Sequence, residues 1–219
     1  MIRLGVVAAL CACALSQPAQ SHPHVFVDTG VEVIFDDQGR ATALRISWHY
    51  DDLFSLLVIE DRGFDPDFDG TLTAPEQASL QGFDMDWDAG FPGDTYALQG
   101  KSPLELSGPE DWTADYTDGR LSSTHLRRFA APVPMGAAPL VVQAYDPGFY
   151  TAYSIDPHPV LTGGTGCTAQ VFEPDRAAAD AILLAAIDEQ AGSAGVEGEF
   201  PAIGAAYSEE VQITCPPPS

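Results

Sequence analysis

The sequence predicts an α+β fold, a β-rich, sandwich-like domain carrying an inserted helix–loop–helix unit and a C-terminal helix. Three observations predict it. Long stretches alternate β-branched and aromatic residues with polar ones, the period of a half-buried strand. Helical spacing of apolar residues is confined to segments around 51–88 and 175–190. Proline and glycine punctuate the chain between these segments, and long strands with few helices suit a strand-dominated α+β domain.

Taken in order, residues 1–21 read as a secretory signal. Arg3 gives a minimal charged start, Leu4 to Leu15 an apolar core, and Ala19-Gln20-Ser21 a small-x-small cleavage site. The apolar run is shorter than the roughly 20 residues a bilayer requires. A lipoprotein reading through Leu10-Cys11-Ala12-Cys13 would leave a very short core before it. Cleavage would make His22 the first residue and leave 22–219 as one domain, expected in the periplasm and without further membrane insertion.

His24 to Phe35 (HVFVDTGVEVIF) reads as a strand, Asp36-Asp37-Gln38-Gly39 as a turn and Ala41 to His49 as the returning strand of a hairpin. Asp51 to Arg62 has a helical pattern, with Asp51 or Asp52 as N-cap. Thr73 and Glu76 have capping-box spacing and Pro75 sits early in the next helix, so the helix–loop–helix unit covers about 51–88. Further strands are expected around Thr95–Leu106, Leu121–Ala130, Leu140–Tyr145, Phe149–Ile155 and Cys167–Phe172. A helix follows over Asp175–Gln190, then a flexible connection over Gly192–Gly204, then a last strand over Tyr207–Thr214.

The loop between the first two helices carries the most specific chemistry. Asp65 to Glu76 reads DPDFDGTLTAPE and places Asp65, Asp67, Asp69, Thr71, Thr73 and Glu76 at the first, third, fifth, seventh, ninth and twelfth positions of an EF-hand loop. Gly70 falls at the sixth position, where the chain turns with positive φ. Leu72 is the expected anchor to the core. Four carboxylates in one loop repel each other until a cation neutralises them, so calcium is the expected ligand. A loop without a partner loop suggests a dissociation constant on the order of 10⁻⁵ to 10⁻³ M.

The wording DPDxDGTL, with Pro66 second, resembles the loops of the lanmodulins, periplasmic lanthanide-binding proteins. It departs from them at the ninth position, where Thr73 replaces Asp. The resemblance implies that a lanthanide could also occupy the loop.

If the mature chain begins as a strand, His22, His24 and Asp28 share one face. Two imidazoles and a carboxylate suit zinc, nickel, cobalt or copper, with His49, His125 and His158 as candidates to complete the site. An amino-terminal His22 could also chelate copper through its imidazole and α-amine, as in the histidine-brace oxidoreductases. Removal of the signal leaves Cys167 and Cys215, which in an oxidising compartment most simply pair as a disulfide.

The chain has 32 acidic against 9 basic residues and a formal net charge of −23, which disfavours nucleic acid and anionic membranes and favours cations. No Gly-x-Ser-x-Gly, zincin or phosphate-loop motif supports another catalytic reading.

Four stretches together resemble the DUF1007 family. They are His22-Pro23-His24-Val25-Phe26-Val27-Asp28, Ile46-Ser47-Trp48-His49-Tyr50-Asp51-Asp52-Leu53-Phe54-Ser55, the Asp-rich loop with Glu76, and Tyr145-Asp146-Pro147-Gly148-Phe149-Tyr150. The resemblance implies a secreted accessory protein of a metal-transport system, often encoded beside a nickel/cobalt-type or zinc permease of the inner membrane. It would add Asp146 to a site, although Asp before Pro-Gly is also a good turn former. The leading expectation is therefore a periplasmic, non-enzymatic metal-binding accessory protein. The alternatives are a histidine-brace copper oxidoreductase and a calcium- or lanthanide-binding envelope interaction module.

Overall fold

The computed structural model describes residues 23–136, 138–192 and 201–216. The predicted signal, His22 and most of the predicted 192–204 connection lie outside the described residues. In chain order the elements are β1 (Val25–Phe35), β2 (Arg40–Tyr50), α1 (Asp52–Arg62), α2 (Ala74–Ser79), β3 (Thr95–Gln99), β4 (Ser102–Leu104), β5 (Glu110–Thr117) and β6 (Arg120–Pro134). They continue as β7 (Leu140–Ala144), β8 (Thr151–Ile155), β9 (Val160–Thr162), β10 (Thr168–Phe172), α3 (Arg176–Gly192), α4 (Gly204–Tyr207) and β11 (Glu210–Thr214).

Two sheets form. The first has the order β5-β6-β2-β1-β8, with β9 also pairing β1; the second has the order β10-β11-β7-β3-β4. The predicted hairpin is the centre of the first sheet, β1 antiparallel to β2 with Asp28 opposite His49. The long β6 flanks β2, while β8 and β9 add in parallel to β1, so this sheet is mixed.

Strict alternation along β1 buries Val25, Val27, Val31 and Val33, and leaves Phe26 and Asp28 exposed. Leu44, Ile46 and Leu121 of the first sheet and Leu140, Val142, Val211 and Ile213 of the second belong to the same buried cluster. Each such side chain contributes about 1.5–3 kcal/mol relative to exposure. Truncating Leu44, which has no exposed surface, to Ala would cost about 2–5 kcal/mol through the cavity it leaves.

The Cys167–Cys215 disulfide is present, beside the Thr168–Thr214 register pair that begins the β10–β11 ladder. Among the described residues no helix is long and apolar enough to cross a membrane.

The predicted insertion emerges between β2 and β3. Asp51 caps α1 by accepting the Phe54 amide, and Gly63 ends it in the left-handed region, with the Phe64 amide returning to the Ile59 carbonyl. The packed face of α1 differs from the one its leucines suggest. Ser55 and Ile59 are buried, and the Ser55 hydroxyl accepts the Leu121 amide at 2.9 Å, whereas Leu53, Leu56 and Leu57 face outward.

Three elements carried no readable sequence pattern. β5 is a sheet edge in which only Ala114 is buried, so Glu110–Thr117 lacks apolar alternation. β9 and α4 are three and four residues long, too short for a period to show. The predicted last strand from Tyr207 divides accordingly into the end of α4 and the strand β11.

Candidate metal centre and buried polar interior

The loop from Asp65 to Glu76 lies between α1 and α2. Its first residue is the anchored one: Asp65 is 6 % exposed and accepts the amides of Asp69 at 3.3 Å and Gly70 at 2.9 Å. These bonds fold the chain back on itself, with Gly70 at φ 80°, a conformation that costs a residue with Cβ roughly 1–2 kcal/mol. Leu72 packs against the core as expected, and so does Phe64 on the other side.

The fold brings Asp65, Asp67 and Asp69 together, one carboxylate oxygen from each within 4.8 Å of the others. Asp67 is held above the usual carboxylate range, first by a hydrogen bond with Asp65 and then by the charge of Asp69. Asp69 is held below it, because its Oδ1 accepts both the hydroxyl of Thr71 at 2.6 Å and its amide at 2.8 Å. The upward shift of Asp67 is the response to crowded negative charge, whereas that of Asp69 is downward and due to the Thr71 donors. An ion bound here would relieve that crowding by coordination.

The other predicted ligands have local duties. Glu76 Oε2 accepts the amide and hydroxyl of Thr73, both at 2.7 Å, which is the predicted capping box at the start of α2. Thr71 and Thr73 thus position the carboxylates of Asp69 and Glu76. The residues present fit a hard cation, since three carboxylates and nearby carbonyls form an all-oxygen donor set.

The predicted transition-metal residues are spread out. His24 and Asp28 do share the outer face of β1, but four residues of strand separate them by about 13 Å. His49 lies opposite Asp28 across the sheet. Asp28 accepts Arg120 Nη2 at 3.0 Å and the Ser154 hydroxyl at 2.9 Å, and these bonds draw its pKa down against the opposing effect of burial. His24 packs its ring 4.8 Å from Tyr150. His158 is an exposed turn residue beside Asp156, and His125 lies on the inner face of β6. Among the described residues, only Asp65, Asp67 and Asp69 form a group of three such ligands. Asp146 acts as a turn former: it accepts the amides of Gly148, Tyr150 and Thr151.

What the sequence did not reveal is a polar and aromatic interior. His125 has no exposed surface, and its ring lies 4.7 Å from that of Trp48 and 5.3 Å from that of Trp87. Neither ring nitrogen has a hydrogen-bond partner, and burial, with Arg127 nearby, lowers its pKa to about 3. Tyr50 and Ser123 both donate to Asp84 Oδ2, and Tyr153 donates to Asp94 Oδ2 at 2.8 Å. Burial raises the pKa of both carboxyls, that of Asp94 to about 6.

The usual order of protonation is therefore reversed between about pH 3 and 6, where His125 is a neutral base and Asp94 a neutral acid. The contributing residues come from β2, β6, β8 and the segment 84–94, positions that no local spacing connects. A faint signal was available: Trp48, Tyr50, Ser123 and His125 fall on the inward parity of their strands.

Residues 7–215 match the family model described as "Protein of unknown function (DUF1007)". No curated protein matches the chain.

Proposed function

The chain belongs to the DUF1007 family, and from that premise and the loop geometry we propose that it is a periplasmic accessory protein that binds one multivalent cation at Asp65, Asp67, Asp69 and Glu76. Calcium is the expected ion. The observation that carries the reading is the convergence of three carboxylates within 4.8 Å in a loop flanked by two helices.

The ion would be held by Asp65, Asp67 and Asp69, with the Thr71 carbonyl and Glu76 completing an oxygen set, as the EF-hand spacing requires. Bound, it would neutralise the loop and fasten α1 to α2. A shallow, mostly exposed donor set suits an ion that is exchanged rather than kept, which fits service to a metal permease. The disulfide supports an oxidising compartment, and the signal read at residues 1–21 supports export.

A transition-metal role rests on His22 and His24, because Asp28 is already engaged by Arg120 and Ser154. Replacing both histidines by Ala should abolish stoichiometric zinc or nickel uptake while leaving calcium uptake intact. Equal zinc binding by the double variant would remove this part of the proposal.

For the loop, titration calorimetry of the processed protein with calcium should give one site, lost in Asp65→Asn/Asp69→Asn. Calcium heat unchanged in that variant would place the ion elsewhere.

One observation favours a second reading, an envelope interaction module: Leu53, Leu56 and Leu57 are exposed on α1, the helix that leads into the cation loop. A calcium-dependent association with an envelope protein, lost when the three are changed to Ser, would support it.

A further inference from the structure

Apart from the cation loop, the structure holds a cleft of about 450 Å³ at the open end of the second sheet. It arises where β4 stops. β4 pairs with Ala97, Leu98 and Gln99 of β3, so Thr95 and Tyr96 extend beyond it, while the chain crosses to the first sheet at Leu106, which bridges to Phe129. Leu98, Leu104 and Leu106 line the cleft, with Tyr96 and Tyr145, whose rings stack at 4.0 Å and 10°. Its volume falls within the range of small-ligand sites; Gln143 and the exposed Glu105 also line it, so the apolar residues share the lining with a small number of polar groups.

Two polar side chains that are more than nine-tenths buried line the same cleft. Arg127 is 4 % exposed and Thr95 is 3 % exposed. The Arg127 guanidinium donates from Nε to the Ser107 carbonyl and from Nη1 to the Pro92 carbonyl at 3.0 Å, and lies 4.9 Å from the Trp87 ring centre. All of these partners are uncharged. Among the described residues no carboxylate lies within ion-pair distance of it.

The Thr95 hydroxyl is buried without a hydrogen-bond partner. A buried cation with no counter-ion and, in the lining of the same cleft, an unused hydroxyl donor are costly unless an anion completes them. Burial already depresses the guanidinium pKa to about 10.

The surroundings hold this cation in place. Gly93, at φ 67°, allows the approach, since a Cβ there would lie 2.3 Å from Trp87 and 2.6 Å from Arg127 Nη1. The single guanidinium matches one negative charge, and the strongly acidic protein opposes more highly charged anions.

We propose that the cleft binds a small monocarboxylate with a flat apolar body, its carboxylate held by Arg127 and the Thr95 hydroxyl and its body placed against the Tyr96–Tyr145 pair and the leucines. The site is independent of the cation loop, so either can fail without the other.

Benzoate and its neutral isostere benzamide are suitable probes, followed by calorimetry and by the NMR shifts of the Arg127 Nε–H and the Thr95 amide. Benzoate should bind at least roughly tenfold more tightly than benzamide, the difference expected of charge-assisted hydrogen bonds. It should move both resonances and be weakened about tenfold or more by Arg127→Gln and several-fold by Thr95→Val. Thr95→Val keeps the side-chain shape, so it and the benzamide comparison decide the matter even if Arg127→Gln does not fold. The proposal is overturned if benzamide binds as well as benzoate, if neither shifts the Arg127 and Thr95 signals, or if Thr95→Val leaves benzoate affinity unchanged.

Discussion

The cation loop and the buried interior both gather carboxylates, but they differ in what balances them. In the loop, Asp67 and Asp69 lie at the surface; a hydrogen bond with Asp65 and the charge of Asp69 draw the pKa of Asp67 up, and the Thr71 hydroxyl and amide draw that of Asp69 down. Inside, Asp84 and Asp94 are separated and each accepts from a tyrosine, so desolvation rather than mutual repulsion sets their protonation. Under the proposed reading the loop would recruit its balancing charge as an ion from solvent. The interior instead shifts its groups toward their neutral forms by burial. Crowded surface charge thus favours exchangeable ligands, and dispersed buried charge favours a fixed protonation state.

The largest expected effect lies in the interior. His125 has a folded pKa near 3, below the ordinary imidazole value of 6.5, so the unfolded chain takes up the proton first. The stability involved is fully present above about pH 6.5 and lost as pH falls toward 3, in total about 5 kcal/mol for the full shift. Asp94 works in the opposite sense. Its folded pKa of about 6 exceeds 3.8, so stability is greatest below about pH 3.8 and falls by about 3 kcal/mol as pH rises through 6.

Between about pH 4 and 6 the two slopes cancel, and denaturant unfolding of the wild type should show little net contribution from this pair. His125→Gln should make stability fall with rising pH over that window, and Asp94→Asn should make it rise. Parallel profiles for the two variants would break the assignment of these groups.

Smaller effects belong to the loop. Calcium at about a hundred times its dissociation constant should stabilise the protein by about 2.7 kcal/mol, raising Tm by roughly 5–10 °C in a chain of this size. The same addition should leave the pH profile of the interior unchanged, which a melting series at fixed calcium would check. Gly70→Ala places a Cβ at φ 80° and should cost about 1–2 kcal/mol without calcium, with calcium affinity reduced as well. An unaltered melting temperature and affinity in that variant would contradict the loop geometry.

The same contrast explains what could be read from the sequence. The loop's carboxylate cluster is legible because its acidic residues lie within twelve consecutive positions and local spacing alone brings Asp65, Asp67 and Asp69 together. The hairpin β1–β2 was equally readable, since alternation from Val25 to Phe35 is both the local pattern and the burial pattern. In α1, helical spacing shows that an apolar stripe exists but not which side of the helix the sheet covers; Ser55, whose hydroxyl accepts from Leu121, is buried while Leu53, Leu56 and Leu57 are exposed.

The burial of His125, Asp84 and Asp94 has no local signature, because it depends on the register of β2 with β6 and on the path of 84–94. The same holds for Arg127, whose lack of a counter-ion is a property of the packed structure alone.

A terbium-soaked crystal of the processed protein, examined by anomalous diffraction, tests the central claim most directly. The account predicts one strong peak between Asp65, Asp67 and Asp69, with oxygen ligands at about the 2.3–2.6 Å typical of large hard cations and Glu76 turned toward it. A fully occupied ion elsewhere on the molecule, with no peak among those three carboxylates, would contradict it.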